Sequence, residues 1–138
     1  MNPSQPTPWL TPALAAVVRG ERRWQLLLCL LTGLVLYHAL SPSPPKQADL
    51  GWDKLNHAAA FAALAMSGCL GFPRSPRTLL CLAALLVLGG LIEILQLFVP
   101  GRSSEWADLL ADSVGIACGA AIAMSLLWMA GLRRRQRA

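Results

Sequence analysis

The chain has 138 residues, of which 55% are hydrophobic and 14% charged, and its mean hydropathy is +0.50. An average soluble domain has fewer apolar and more charged residues, so we expect lipid to surround most of the chain. The formal net charge of +5 does not indicate nucleic acid, because the basic residues flank apolar runs and are not interleaved with aromatic residues on a polar face. The length suits one compact helical bundle.

The first 23 residues are predicted to form a mobile arm. Residues 1–8 contain three prolines among small polar residues, and this composition buries too little apolar area to offset the entropy of ordering. Within the arm, residues 9–19 carry Trp9 and the apolar Leu14, Val17 and Val18. This pattern is typical of a short amphipathic helix that lies in the membrane interface.

Four apolar runs follow, at residues 24–40, 55–72, 78–99 and 107–132. Each approaches or exceeds the roughly 20 residues that a helix needs to cross a hydrocarbon core of about 30 Å. Prolines follow the first three runs and end them. Only helices and closed barrels satisfy the backbone in lipid, and the runs lack the alternation of barrel strands. We therefore predict an all-α membrane protein in which residues 24–132 form a bundle of four transmembrane helices.

Basic residues predict the orientation of this bundle. The arm, the link after the second run and the tail at residues 133–138 carry nine arginines, whereas the two opposite loops carry only Lys46, Lys54 and Arg102. Cytoplasmic flanks are enriched in lysine and arginine. We therefore predict that both termini are cytoplasmic.

Acidic residues concentrate at the opposite, extracytoplasmic end of the predicted bundle. Six of the seven lie there, namely Asp49, Asp53, Glu93, Glu105, Asp108 and Asp112. Asp53 and His57 are four residues apart and share a face of the second helix. The acidic residues near it make His57 a candidate base, proton carrier or ligand.

The fourth helix has a stripe that changes from acidic to small residues. Asp108 and Asp112 are followed at helical spacing by Gly115 and Gly119. Small residues at this spacing let a neighbouring helix approach closely. Asp108 also suits a cap at the start of this helix, where a carboxylate favours the helix dipole.

Glu93 is the acidic residue predicted to lie deepest, about 9 Å below the outer end of the third helix at 1.5 Å per residue. An ionised carboxylate costs about 2.5 kcal/mol or more near the centre of a bilayer unless it is paired, protonated or hydrated. We therefore expect Glu93 to face the bundle interior together with Gln96, with Arg102 or His57 as its partner.

The order of these residues resembles the VanZ-like family of bacterial membrane proteins. The resemblance covers roughly residues 50–125 and is carried by Asp53-Lys54-x-x-His57, Glu93-x-x-Gln96, Pro100-Gly101-Arg102, and Asp108 and Asp112 followed by Gly115 and Gly119. The family often has asparagine at the position of Asp112. It is named after a member linked to resistance to the glycopeptide teicoplanin, so the resemblance implies a multi-pass protein of the bacterial cytoplasmic membrane that belongs to the cell envelope.

The predicted ligand site is an extracytoplasmic-facing pocket formed by Asp53, His57, Glu93, Gln96, Arg102, Asp108 and Asp112. The leading hypothesis is that it binds a polar or anionic headgroup of an envelope lipid, a lipid-linked cell-wall precursor or a glycopeptide-related ligand, with membrane lipids around it. An arginine fork and amide groups beside an apolar bundle suit such an amphiphile. The structural alternative is a polar clamp between helices, formed by Glu93, Gln96 and Arg102.

Three other functions stay open. A membrane-embedded hydrolase or transferase would use His57 with a carboxylate, and Glu93 is the other catalytic candidate, although the sequence has no nucleophile elbow or phosphate loop. A proton-linked transporter would use the same two residues, and four short helices would then need a homo-oligomer. The chain also suits a helper subunit that packs against a partner membrane protein.

No cofactor, no metal and no nucleic acid partner is predicted. The four cysteines lie in or beside apolar runs without paired spacing, and His57 has no second histidine at a ligand spacing. A site made of His, Glu and Asp is chemically feasible. Without a recognisable spacing, it is not the leading interpretation.

Overall fold

The structure is a computed structural model that describes residues 16, 18, 20–42, 53–73, 75–102 and 104–135. Within these ranges the chain forms four helices and no strand: α1 (Glu21–Leu40), α2 (Asp53–Gly71), α3 (Pro76–Gln96) and α4 (Trp106–Arg135). The predicted all-α fold with four helices is confirmed. Most of the arm, including the predicted interfacial helix at residues 9–19 except for Ala16 and Val18, and the last three residues of the tail lie outside the described residues.

In the part of the chain that the structure describes, three helices are long and apolar enough to cross a membrane: α1, α3 and the Trp106–Ala130 part of α4. The chain is therefore a membrane protein. Much of its outer surface is leucine, and Leu26, Leu79 and Leu80 each expose 70–74% of their surface, as expected where lipid rather than water is the solvent. The first turns of α2 contain polar residues, so its crossing of the membrane stays a prediction, as do the cytoplasmic termini.

Two exposed tryptophans bracket the apolar surface of α4. Trp106 and Trp128 are 88% and 64% exposed and lie 22 positions apart, which is about 33 Å along a helix at 1.5 Å per residue. Tryptophan favours the two membrane interfaces, and these are separated by a hydrocarbon core of about 30 Å. The spacing therefore fits a single crossing, with the start of α4 at one interface.

The helix pair α2 and α4 has the most extensive contact in the bundle. A Cβ added at Gly115 would overlap the carbonyl oxygen of Ala58, and one added at Gly119 would overlap that of Ala62. Both contacts join residues 57 positions apart, so the two helices run parallel. The predicted close approach at the two glycines is confirmed, and α2 is the neighbour that approaches.

The buried core lies around α2. Phe61 belongs to one apolar cluster with Leu85 and Ile92 of α3, and Leu70 belongs to a second cluster with Leu127 of α4. Helix α1 has no fully buried residue and covers α2 from outside. Helix α2 is thus the central one, because its alanines and glycines let three neighbours pack against it.

The ends of the helices differ from the predicted runs by up to three residues. Helix α1 already begins within the predicted arm, and α3 ends at Gln96 rather than at residue 99. At that end the amides of Phe98 and Val99 donate to carbonyl groups three residues earlier, at 3.0 and 3.1 Å. Val99 precedes Pro100, and the residue before a proline disfavours helical backbone angles. The last turn of the helix therefore changes to the tighter hydrogen bonds between residues three apart.

A tight turn then leads out of α3. The amide of Arg102 donates to the carbonyl of Val99 at 3.2 Å, and Gly101 adopts a φ of 80°. A turn with proline followed by a positive-φ glycine is a type II turn. Since α3 ends earlier than expected, Glu93 lies three residues from its end, about 4.5 Å at 1.5 Å per residue, which is half the predicted depth.

The substitution Gly119→Ala is expected to lower the free energy of unfolding by about 1–3 kcal/mol, because its Cβ would force the α2 and α4 backbones apart. Gly33→Ala is the matched control, since no atom lies within 4 Å of its added Cβ and alanine has the higher helix propensity. Thermal unfolding of both variants in one detergent measures the difference. Equal stability would contradict the backbone contact.

Candidate functional site

Four ionisable side chains meet at the end of the bundle where α2 and α4 begin and α3 ends. They are His57, Glu93, Asp108 and Asp112, and we call them the polar cluster. The exposed fractions of the three acidic residues are 7%, 1% and 0%, and that of the His57 side chain is 12%. The prediction that Glu93 faces the bundle interior is confirmed.

His57 and Asp112 form a close pair across the α2–α4 interface. The Nδ1 atom of His57 lies 2.9 Å from Oδ1 of Asp112. The second carboxylate oxygen, Oδ2, is buried without a hydrogen-bond partner among the described residues. A Cβ added at Gly89 of α3 would lie 2.6 Å from it, so the missing side chain of Gly89 is what leaves room for the carboxylate.

Glu93 ties the end of α3 to the segment that enters α4. Its Oε2 atom accepts hydrogen bonds from the Ser104 hydroxyl at 3.1 Å and from the Glu105 amide at 3.0 Å. Its Oε1 atom is buried and has no hydrogen-bond partner in the described part of the chain. One oxygen therefore orients the carboxylate, and the other is available to a ligand.

Gln96 and Arg102 bind the end of α1. Gln96 Nε2 donates to the carbonyl of Ala39 at 3.1 Å, Arg102 Nε donates to that of Ser41 at 3.2 Å, and Arg102 Nη2 donates to that of His38. The last carbonyl groups of a helix lack partners within it, and a cation is favoured beside them. These two side chains thus hold α1 in place.

The expected pairing of Arg102 with Glu93 is therefore wrong. The guanidinium is directed to α1, and Glu93 is bound by a hydroxyl and a backbone amide instead. Asp108 lies in the first turn of α4 rather than at its cap, because the helix begins at Trp106. A carboxylate in this turn still favours the helix dipole. Asp53 is the first residue of α2, but its side chain lies outside the described part.

Lys54 belongs to this end of the bundle, although the sequence analysis counted it among the loop cations and in the motif with His57 and did not assign it to the ligand site. Its Nζ atom lies 2.7 Å from Oε2 of Glu105 and 3.7 Å from Oδ1 of Asp108. The hydrogen bond from Lys54, and then its charge, hold the pKa of Glu105 below the ordinary value. The signal was present in the sequence, because a residue three positions before His57 shares its helix face.

Three side chains of the polar cluster have the chemistry of metal ligands. His57, Glu93 and Asp108 each offer one ligand atom, and these atoms lie within 4.8 Å of one another. Imidazole and carboxylate are donors that divalent transition metals use. The cluster can also exchange protons, because it places a histidine beside carboxylates.

A cavity of about 390 Å³ lies at the opposite end of the bundle, lined by residues that include Cys69, Leu82 and Trp128. Its lining comes from α2, α3, α4 and the link before α3, is mostly apolar, and includes no member of the polar cluster. The ionisable groups that could carry out chemistry lie at the other end.

Comparison with known proteins gives a family match. The family model described as VanZ/LLP1 matches residues 17–129, which include nearly all of the described helices. No curated protein and no solved structure matches the chain. The match extends the sequence resemblance to the first helix, which the motifs did not include.

Arg102→Ala is expected to lower the free energy of unfolding by about 2 kcal/mol, because hydrogen bonds that involve a charged group contribute about 1.5–3 kcal/mol and the α1 carbonyls lose their donors. Arg77→Ala, which removes an exposed arginine from the other end of the bundle, should stay within about 0.5 kcal/mol of the parent. Thermal unfolding in detergent measures both. An Arg102→Ala protein that is as stable as the parent would show that the guanidinium does not hold α1.

The carboxyl group of Glu105 is expected to titrate below 4.5, its ordinary value. Because the folded pKa is lowered, the contribution of the Lys54 pair is fully present above pH 4.5 and is lost as the pH falls through the lowered value. Lys54→Met should raise the titration midpoint to about the ordinary value, whereas Lys54→Arg should keep it low. Carboxyl ¹³C shifts followed by NMR report the midpoint, and a midpoint unmoved in Lys54→Met would refute the pairing.

Proposed function

The chain belongs to the VanZ/LLP1 family, and from this premise we propose that it is a multi-pass protein of the bacterial cytoplasmic membrane that binds the polar headgroup of an envelope lipid or a lipid-linked cell-wall precursor. The observation that supports this proposal is the polar cluster, in which Oε1 of Glu93 and Oδ2 of Asp112 are buried without partners among the described residues. Ionisable groups at membrane depth are costly, and they mark functional sites by default.

The charge of the site favours a headgroup that donates hydrogen bonds. Among the described residues, the three carboxylates of the polar cluster and that of Glu105 pair with two basic groups, Lys54 and His57. Arg102, which the sequence analysis assigned to an anion, donates to the α1 carbonyls. Carboxylates accept hydrogen bonds only, so sugar hydroxyls or an ammonium group match them best.

The surroundings of the cluster suit the two parts of an amphiphile. The side chains of Lys54 and Glu105 are 32% and 51% exposed and form a charged rim. Phe98 and Trp106, on either side of the α3–α4 turn, are 79% and 88% exposed. A headgroup would enter past the rim, while its tail would lie against the aromatic residues and the leucine-rich surface.

Glu93→Gln is expected to weaken retention of the bound lipid by about tenfold or more, because hydrogen bonds to a charged group contribute about 1.5–3 kcal/mol. The substitution keeps the size of the side chain. Glu21→Gln is the matched control, since Glu21 is exposed at the start of α1, at the opposite end of the bundle. Native mass spectrometry of each protein, purified from bacterial membranes in the same detergent, identifies and quantifies the retained lipid.

Two results would count against the headgroup proposal. One is equal retention of the same lipids by the parent and by well-folded Glu93→Gln protein. The other is a lipid that is lost equally from the Glu21→Gln control. A lipid that is selectively lost from Glu93→Gln would also identify the headgroup class.

A second candidate function is a hydrolase or transferase that acts on such a headgroup. It is favoured by the 2.9 Å contact between His57 and Asp112, because a carboxylate on Nδ1 orients an imidazole so that Nε2 can act as a base. Water or a headgroup hydroxyl would be the nucleophile. Turnover of the retained lipid that disappears in His57→Gln would favour this function, and binding without turnover would leave a binding protein.

A further inference from the structure

The polar cluster receives one metal-binding side chain from each of three helices. His57 lies on α2, Glu93 on α3 and Asp108 on α4, and their ligand atoms lie within 4.8 Å of one another. We propose that these three side chains hold a divalent metal ion through one imidazole nitrogen and two carboxylate oxygens. The metal site depends on its own ligands and not on the proposed headgroup.

The distances need a modest adjustment. Nitrogen and oxygen donors bind zinc at about 2.0–2.2 Å in a tetrahedral arrangement, so the donors on one ion lie about 3.3–3.6 Å apart. Since the three ligand atoms lie within 4.8 Å of one another, a contraction of about 1.5 Å or less brings them within bonding range.

Glu93 supplies an independent observation that points to a ligand. The residue is 7% exposed, and Oε1 has no hydrogen-bond partner among the described residues, although Oε2 accepts hydrogen bonds from Ser104 and from the Glu105 amide. A buried carboxylate oxygen without a partner is costly. A cation within the cluster satisfies it.

Asp112 orients the imidazole of His57 for binding the metal ion. An ionised carboxylate can only accept, so His57 Nδ1 carries the proton that lies between it and Oδ1 at 2.9 Å. Metal-bound histidines almost always donate their other ring N–H to a carboxylate, a carbonyl or water. The pair thus assigns Nε2 of His57 to the metal, and Gly89 leaves the room that Asp112 needs.

The donors indicate the class of metal. One imidazole and two carboxylates, without a thiolate, suit Zn²⁺ or Mn²⁺ better than Ca²⁺, which takes six or more oxygen ligands. Asp108 would be shared between the ion and Lys54, which lies 3.7 Å from its Oδ1. Three protein ligands leave a coordination position for water or a headgroup oxygen. The positive ion would also offset the acidic charge of the site.

The test is metal binding by the full chain in detergent, after removal of bound metal with a chelator. Calorimetric titration with Zn²⁺ is expected to show one ion per chain. His57→Ala, Glu93→Gln and Asp108→Asn should each weaken binding by at least about tenfold, and Asp112→Asn by about 10–100-fold, because it supports a ligand. Glu21→Gln is the matched control and should bind as the parent does, since Glu21 is exposed at the start of α1, at the opposite end of the bundle.

Cobalt distinguishes this site from the cysteines. Co²⁺ bound by nitrogen and oxygen absorbs weakly in the visible range, whereas a thiolate ligand adds a strong near-ultraviolet band. Such a band would assign the metal to Cys69 or Cys81 and overturn the proposal. So would a folded parent protein, verified by circular dichroism, that binds no Zn²⁺, or variants that bind as the parent does. Lipid retention measured in the presence of chelator tests the headgroup proposal separately.

Discussion

The backbone contact between α2 and α4 brings most of the ionisable groups together at the end of the bundle where these two helices begin. Two glycines of α4 lie directly on alanine carbonyls of α2, and the helices run parallel. In the turns that precede this contact, His57 lies opposite Asp112, and Lys54 lies opposite Asp108. Side chains at the glycine positions would separate the helices, and hydrogen bonds do not survive such a change in distance. Small residues in the apolar part of the bundle thus set the geometry of its polar part.

The polar residues at this end divide into two groups with different tasks. Gln96 and Arg102 satisfy the last carbonyl groups of α1 and attach that helix to the turn after α3. In the polar cluster, Oε1 of Glu93 and Oδ2 of Asp112 are buried without partners among the described residues. The sequence analysis treated a structural clamp and a ligand site as alternatives for one set of residues, whereas Gln96 and Arg102 form the clamp and the proposed ligand site lies in the polar cluster. Glu93 belongs to both, because one of its oxygens joins α3 to the segment that enters α4.

Much of this arrangement could be predicted from local patterns. Apolar runs ended by prolines predict four helices, the acidic residues mark one end of the bundle, and the spacing of Gly115 and Gly119 predicts the close helix pair. The partners of Arg102 could not be predicted, because the unsatisfied carbonyls of α1 are recognised only once the turn after α3 is placed beside them. The proposed metal-binding triad also escapes sequence patterns, since each of its residues lies on a different helix and no two share a spacing.

The central position of α2 has a consequence for how the protein enters the membrane. Lys54 and His57, in the first turns of α2, pair with Asp108 and Asp112 of α4, which is synthesised after α2. A nascent chain that has not yet released α4 from the ribosome lacks these two carboxylates, and charged side chains without them are costly in lipid. We therefore expect α2 to take its stable place in the bundle only after α4 has been made.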